Sequence, residues 1–248
     1  MTGAASGIGA ATAISFAEAG ADVALGWFPG DAHDVDVVRR AVEATGRRAL
    51  VQELDVASTE SVDGFVAAAH NAFGRIDIVV ANAGIARTVP ALELTDEAWN
   101  RVVEVNLLGV WRCFRAALPR MLSAGYGRLL ATSSVAGTRQ SWPEHVHYTA
   151  SKAGIVGLVK SLAIEVGRQG ITVNAVAPGV IESPQSLDPV NSLGMEGVAA
   201  AGRANPVGRV GKPEDVAALY RFLASADAGF INGQLITVDG GRTLVIQD

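Results

Sequence analysis

The chain contains one cysteine, Cys113, in 248 residues. That excludes an intramolecular disulfide and a zinc cluster built from cysteines. Its setting, GVWRCFRAAL, is a helical pattern in which a lone thiol reads as buried and inert. No block of Lys and Arg occurs and the formal net charge is -5, which argues against nucleic acid or anionic membrane as the main partner. The longest apolar candidate, 153–166, is interrupted by Lys160 and Glu165 and falls short of the ~20 residues a spanning helix needs. No secretory signal is visible at the start, so the cytoplasm is the expected location.

Glycine is abundant. The 28 glycines exceed the ~7% average and call for tight turns or close backbone approach to a ligand. Hydrophobic residues make up 49% and charged residues 18%, enough for a sizeable core. Apolar, β-rich runs at 22–27, 48–54, 76–81, 128–133, 171–177 and 234–238 alternate with helical patterns at 7–20, 32–46, 59–74, 96–123, 147–169 and 213–225. Continuous apolar strands separated by helices imply a parallel sheet covered on both faces, an α/β, doubly wound Rossmann-type architecture. One domain over 1–248 is expected. Residues 179–206, dense in Pro and Gly, read as irregular, with 184–206 forming a substrate lid. Met1 leads at once into a strand-to-helix turn. The expectation is a sheet whose first, central strand is missing or truncated.

Thr2-Gly3-Ala4-Ala5-Ser6-Gly7-Ile8-Gly9 opens the first helix. Glycines let the backbone approach a phosphate, and the free N–H groups and positive end of the helix favour an anion. A plain helix start is the alternative. Asp55 closes a strand as an adenine acceptor or a turn cap, and Asn82-Ala83-Gly84 leaves room for a flat ligand or makes a simple turn. Tyr148 and Lys152, four residues apart at the head of a helix, share one face. An ammonium beside a phenol lowers its pKa and makes it a usable proton donor and acceptor. Ser133-Ser134 ends the preceding strand. A lone Tyr–Lys pair is most often a solvated helix face; its place after that strand and downstream of the glycine turn reverses this.

These motifs in this order resemble the short-chain dehydrogenase/reductase family, in its compact single-domain branch, from Thr2 to Gly241. The resemblance implies hydride transfer between a nicotinamide cofactor and a carbonyl or alcohol. Tyr148 would be the general acid/base, Lys152 would lower its pKa and hold the nicotinamide ribose, Ser134 would orient the substrate oxygen, and Asn106 would hold a water in a relay to Lys152. Cofactor contacts would come from Thr2, Gly3, Ser6, Gly7, Ile8, Gly9, Trp27, Asp55, Val56, Asn82, Ala83, Gly84, Tyr148, Lys152, Pro178, Gly179, Ile181 and Ser183. No metal is implied. The chain departs from the pattern at Ala81, where an asparagine is usual, and at a slightly longer loop before Tyr148. The WP…VHY wording of that loop is similar to glucose 1-dehydrogenase-like sugar dehydrogenases. Trp142, His145 and His147 are therefore substrate-pocket candidates, with Ile85, Arg87, Gln140, Gln185 and Leu187. Relatives are mostly tetramers or dimers built on the helices 96–123 and 147–169, so a homo-oligomer is expected.

An acid at the end of the second strand marks NAD and a base accommodates NADP. Trp27 sits there instead, with Ser6 in place of a base in the turn. Asp31 and His33 lie just beyond, and Arg39 and Arg40 read as a solvated helix face. NADP(H) is narrowly favoured over NAD(H). Two enzymatic readings follow: a sugar, cyclic or secondary alcohol as substrate, or a 3-oxoacyl thioester with Arg87, Arg203 and Arg209 available to carrier phosphates. A non-catalytic dinucleotide sensor is the alternative of another class.

Overall fold

The computed structural model describes residues 1–245. Six parallel strands form the framework: β1 (Val23–Trp27), β2 (Ala49–Glu53), β3 (Ile78–Ala81), β4 (Gly127–Thr132), β5 (Ile171–Pro178) and β6 (Leu235–Val238). β1 pairs with β2, and β3-β4-β5-β6 run in that order. Every residue of β4 and β5 is buried. Alternation along these strands feeds two cores. Val79, Ala81, Leu129 and Ala131 point to one, Val80, Leu130 and Val176 to the other.

Helices α3 (Thr59–Phe73), α5 (Gly109–Ala124) and α6 (Val146–Val166) fill the first core with Phe65, Phe114, Met121 and Ile155. Helices α1 (Gly7–Glu18), α2 (Val35–Ala44) and α9 (Pro213–Ala224) fill the second with Phe16, Val42, Tyr220 and Leu223. The starts follow from local chemistry. Thr95 caps α4 (Asp96–Val103) by accepting from the Ala98 N–H, Ser58 caps α3 through Ser61, and Pro213 begins α9 while Asp215 accepts from the Lys212 N–H. The single helical pattern expected over 96–123 is divided by a π turn at Glu104–Leu108. No helix among the described residues is long and apolar enough to cross a membrane. Cys113 is buried, and burial pushes its thiol up to about 12, as its helical setting implied.

The region expected to be irregular holds two helices, α7 (Pro184–Leu187) and α8 (Gly194–Ala204). Proline at the first helical position and the Ser183 cap start α7, so residues that read as helix breakers act as helix starts.

The sheet is interrupted between β1 and β3. Only Met1 and Thr2 stand there: Gly26 N–H donates to Met1 O (2.9 Å), Thr2 N–H to Val80 O (3.1 Å), and the Met1 ammonium to Ala24 O (3.1 Å). Below them runs a cleft of about 380 Å³, walled by Phe16, Val23, Phe65, Val79 and Cys113 and rimmed by Asp22, Arg48, Arg75 and Asp77.

Candidate active site

The carboxyl ends of β3, β4 and β5 deliver the motif residues to one cleft of about 330 Å³. β3 passes into Asn82-Ala83-Gly84, β4 into Ser133-Ser134, and β5 ends at Pro178 before Gly179. The glycine turn forms one end, with Gly3, Ser6, Gly7 and Ile8 lining it; Trp142, His145 and the lid residues Gln185, Ser192 and Leu193 form the other.

The turn suits an anion. Gly7 has φ +51°, a conformation that other residues rarely adopt, and a Cβ on Gly9 would lie 1.9 Å from Gly3 O. Ser6 makes no capping hydrogen bond, so the first N–H groups of α1 remain for an external acceptor at the positive end of the helix. A dinucleotide pyrophosphate fits such a cradle.

Tyr148 and Lys152 project from the first turns of α6, both buried. The Tyr148 hydroxyl stands beside the Ser134 and Gln185 side chains, which line the same cleft. Ser134 Oγ also accepts from Ala136 N–H (3.1 Å), whereas Ser133 Oγ donates to Lys152 O (2.8 Å) and braces the helix. The geometry therefore selects Ser134 over Ser133 as the residue beside the tyrosine.

The ammonium effect expected from the sequence does not dominate. Lys152 Nζ donates to Thr132 O at 2.8 Å and stands 5.8 Å from the centre of the Tyr148 ring. Burial pushes the Tyr148 pKa up, with the polar side chains of Ser134 and Gln185 opposing. Burial pushes Lys152 down to about 8.

A pH effect follows. A base whose folded pKa lies below its unfolded value binds fewer protons when folded, so stability rises with pH between the two values. For Lys152 that window runs from about 8 to the ordinary 10.5. Wild type should gain on the order of 2–3 kcal/mol relative to Lys152→Met across it. Urea unfolding of both proteins between pH 7 and 10.5 measures this, and parallel curves would refute it.

Several candidates sit elsewhere. Thr2 is buried, and its hydroxyl accepts from the Asn82 and Ala83 N–H groups (3.0 and 2.9 Å): it ties the glycine turn to β3 and does not line the cleft. Gly9 packs on Gly3, Trp27 packs in the second core, Val56 is buried against Gly109, and none of them lines the cleft. Asp55 accepts from Ala57 N–H (2.9 Å), which is the turn-cap role. Asn106 lies in the π turn. Its Oδ1 accepts from Ile85 N–H (2.8 Å), and its Nδ2 donates to Ile85 O (2.9 Å) and Ser151 Oγ (3.2 Å). Its carboxamide thus fixes the segment after Gly84.

Gly3, Ser6, Gly7, Ile8, Asn82, Ala83, Gly84, Pro178, Gly179, Ile181 and Ser183 all line the cleft. Of the substrate candidates, Trp142, His145 and Gln185 line it, while Ile85, Arg87, Gln140, His147 and Leu187 do not. His147 is fully buried, and burial lowers its pKa. Ser192 and Leu193 were missed by sequence reasoning, because nothing in their pattern marks a wall.

Residues 3–243 match a family model described as enoyl-(acyl carrier protein) reductase. The chain is 42% identical over 246 residues to a cis-4-hydroxycyclohexanecarboxylate dehydrogenase of Sinomonas cyclohexanicum, covering 99% of this chain and 96% of that one. It is 37% identical over 244 residues to the 3-oxoacyl-[acyl-carrier-protein] reductase FabG of Thermotoga maritima, covering 98% and 96%. Among solved structures, levodione reductase superposes with a TM-score of 0.91 at 33% identity, covering 99% of this chain and 96% of that one. A short-chain type dehydrogenase/reductase from Mycobacterium marinum gives a TM-score of 0.91 at 34% identity, covering 99% and 94%. A glycine turn, a Ser–Tyr–Lys set at the strand ends and whole-length relatives of this kind agree: the chain belongs to the short-chain dehydrogenase/reductase family and is an NAD(P)-dependent oxidoreductase of small molecules.

Proposed function

We propose that this enzyme interconverts a secondary alcohol and its ketone on a small, ring-shaped substrate, with Ser134, Tyr148 and Lys152 at the reacting oxygen. The carrying observation is that Ser134, Tyr148 and Lys152 line the same cleft as the glycine turn. The nicotinamide supplies the hydride when bound. In reduction, Tyr148 Oη gives its proton to the carbonyl oxygen as that oxygen gains charge, while Ser134 Oγ hydrogen-bonds the same oxygen. In oxidation the proton returns to Tyr148. The Lys152 ammonium, 5.8 Å from the Tyr148 ring centre, favours the deprotonated phenol only as a secondary effect beside burial. Gly3, Ser6, Gly7, Ile8, Asn82, Gly84 and Gly179 would hold the cofactor.

Trp142, His145, Ala86 and Leu193 give the substrate end a largely apolar wall suited to a small ring. The cyclohexane alcohol in the name of the Sinomonas relative supports that class. The thioester reading loses its cationic support, since Arg87, Arg203 and Arg209 do not line the cleft and Arg209 is paired with Asp215 at 2.6 Å. The segment 184–206 acts as the lid, on a protein that we place in the cytoplasm as one domain. Exposed Trp111 and Leu122 on α5 and Ile164 on α6 support a homo-oligomer, a tetramer or dimer.

A panel of cyclic secondary alcohols, sugars and acetoacetyl thioesters, followed by nicotinamide absorbance, tests this. Turnover of ring alcohols is the expected result. Turnover of thioesters alone overturns the substrate class, and tight cofactor binding without any turnover identifies a sensor.

A further inference from the structure

We propose that Tyr220, on α9, is a positioning residue for the cofactor: its hydroxyl sets the Asn82 carboxamide and, through it, the shape of the glycine turn. The proposal rests on the reading of the cleft as a nicotinamide dinucleotide site and adds a residue that acts on that site without touching it.

Alternation along the strands brings the three groups together. Val80 and Leu130 face the second core, and two residues further on Asn82 and Thr132 continue that face. Asn82 follows β3, Thr132 ends β4, and both line the cleft. Tyr220 reaches Thr132 from behind. It is fully buried in the second core and does not line the cleft. Its helix packs along α1, the helix that the glycine turn opens.

The side chains form one hydrogen-bonded line. Thr132 Oγ1 donates to Asn82 Oδ1 (3.0 Å) and stands 2.7 Å from Tyr220 Oη. Asn82 Nδ2 donates to Thr2 O (3.3 Å) and Gly3 O (3.4 Å). The protons have a single arrangement. Two backbone carbonyls can only accept, so the amide nitrogen of Asn82 must face the turn and its oxygen must face Thr132. That oxygen also only accepts, so it takes the Thr132 proton. Thr132 has no second proton, so Tyr220 is the donor at the far end. Burial pushes the Tyr220 pKa up, with the bond to Thr132 opposing, and the phenol keeps the proton that the line requires.

The consequence falls on the turn. A donor behind Thr132 polarises its hydroxyl and strengthens the bond to Asn82. Asn82 and the Thr2 hydroxyl, which accepts from the Asn82 and Ala83 N–H groups, then stitch the turn to the end of β3 in both directions. The fit leaves little slack, since a Cβ on Gly9 would lie 2.9 Å from Asn82 Nδ2. Without the Tyr220 proton, the Thr132 hydroxyl can turn away from Asn82, the amide plane loosens, and the phosphate cradle must be ordered when the dinucleotide binds.

Fluorescence titration of the purified full chain with NADH and with NADPH gives cofactor dissociation constants without any substrate. Tyr220→Phe keeps the buried ring and removes one oxygen. It should weaken binding of the dinucleotide that wild type prefers by about fivefold, the worth of one neutral hydrogen bond. With a ring alcohol that wild type turns over, the KM for cofactor should rise by the same factor while kcat stays within about twofold. Thr132→Val cuts the line at its centre and should weaken binding at least as much. The two effects should not add: the double variant should bind within about twofold of Thr132→Val alone. A lowered melting temperature with wild-type cofactor affinity makes Tyr220 a residue of the core alone and overturns the proposal, as does full additivity. If Tyr220→Phe does not fold, wild-type affinity in Thr132→Val overturns it. Binding of neither dinucleotide by folded wild type overturns the reading of the cleft itself.

Discussion

Tyr148→Phe should lower kcat by about 10³-fold or more while changing the cofactor dissociation constant by less than about threefold. The substitution removes one oxygen and keeps the ring that fills the space between Val102 and Ala136. The lost atom is the phenol oxygen, beside the Ser134 and Gln185 side chains in the cleft. General acid–base catalysis contributes about 10²–10⁴-fold, and the neighbouring Ser134 hydroxyl releases its proton far less readily than a phenol. Stability should fall by only about 1 kcal/mol, the net worth of a hydrogen bond. Steady-state rates and a fluorescence titration on one preparation give both numbers. A variant that keeps a tenth of wild-type kcat with native cofactor affinity would remove Tyr148 from the chemistry.

Gly9→Ala should be the most damaging single methyl in the chain. Its Cβ would lie 1.9 Å from Gly3 O and 2.8 Å from Gly3 C, both backbone atoms, with Asn82 Nδ2 at 2.9 Å. A flexible side chain can turn away from such a contact; a backbone carbonyl in a tight turn cannot. Either α1 shifts or the turn opens, at a cost of about 3 kcal/mol or more, and the phosphate cradle is lost with it. Gly64→Ala is the matched control. It lies on the exposed side of α3 with nothing within 4 Å of an added Cβ, and alanine there should stabilise by roughly 0.5–1 kcal/mol. Denaturant unfolding of the pair should move in opposite directions, and a Gly9→Ala midpoint equal to wild type would contradict the packing.

The layered sheet was legible because its signals are local. Apolar runs such as IDIVVA, bounded by caps such as Ser58 and Thr95, state element type without reference to neighbours. The cleft was legible in outline for the same reason, since strand ends carry the motifs. What failed was the assignment of atoms within a motif. Thr2 and Gly3 are adjacent in the same turn, yet one hydroxyl braces β3 while the other residue lines the cleft. That the Asn106 carboxamide is bound on both sides to Ile85 could not be read from its motif. The helices α7 and α8 were hidden because prolines and glycines there serve as helix starts. Asp31 stood in plain view, but only the fold of the Phe28–Asp31 turn tells whether it faces the cleft.

The Asn106 carboxamide has a mechanical consequence. It joins the π turn to Ile85 after β3 and to Ser151 on α6, so these three segments form one jaw of the cleft that moves as a unit. Opening of the cleft to admit a ligand should then come from the opposite jaw.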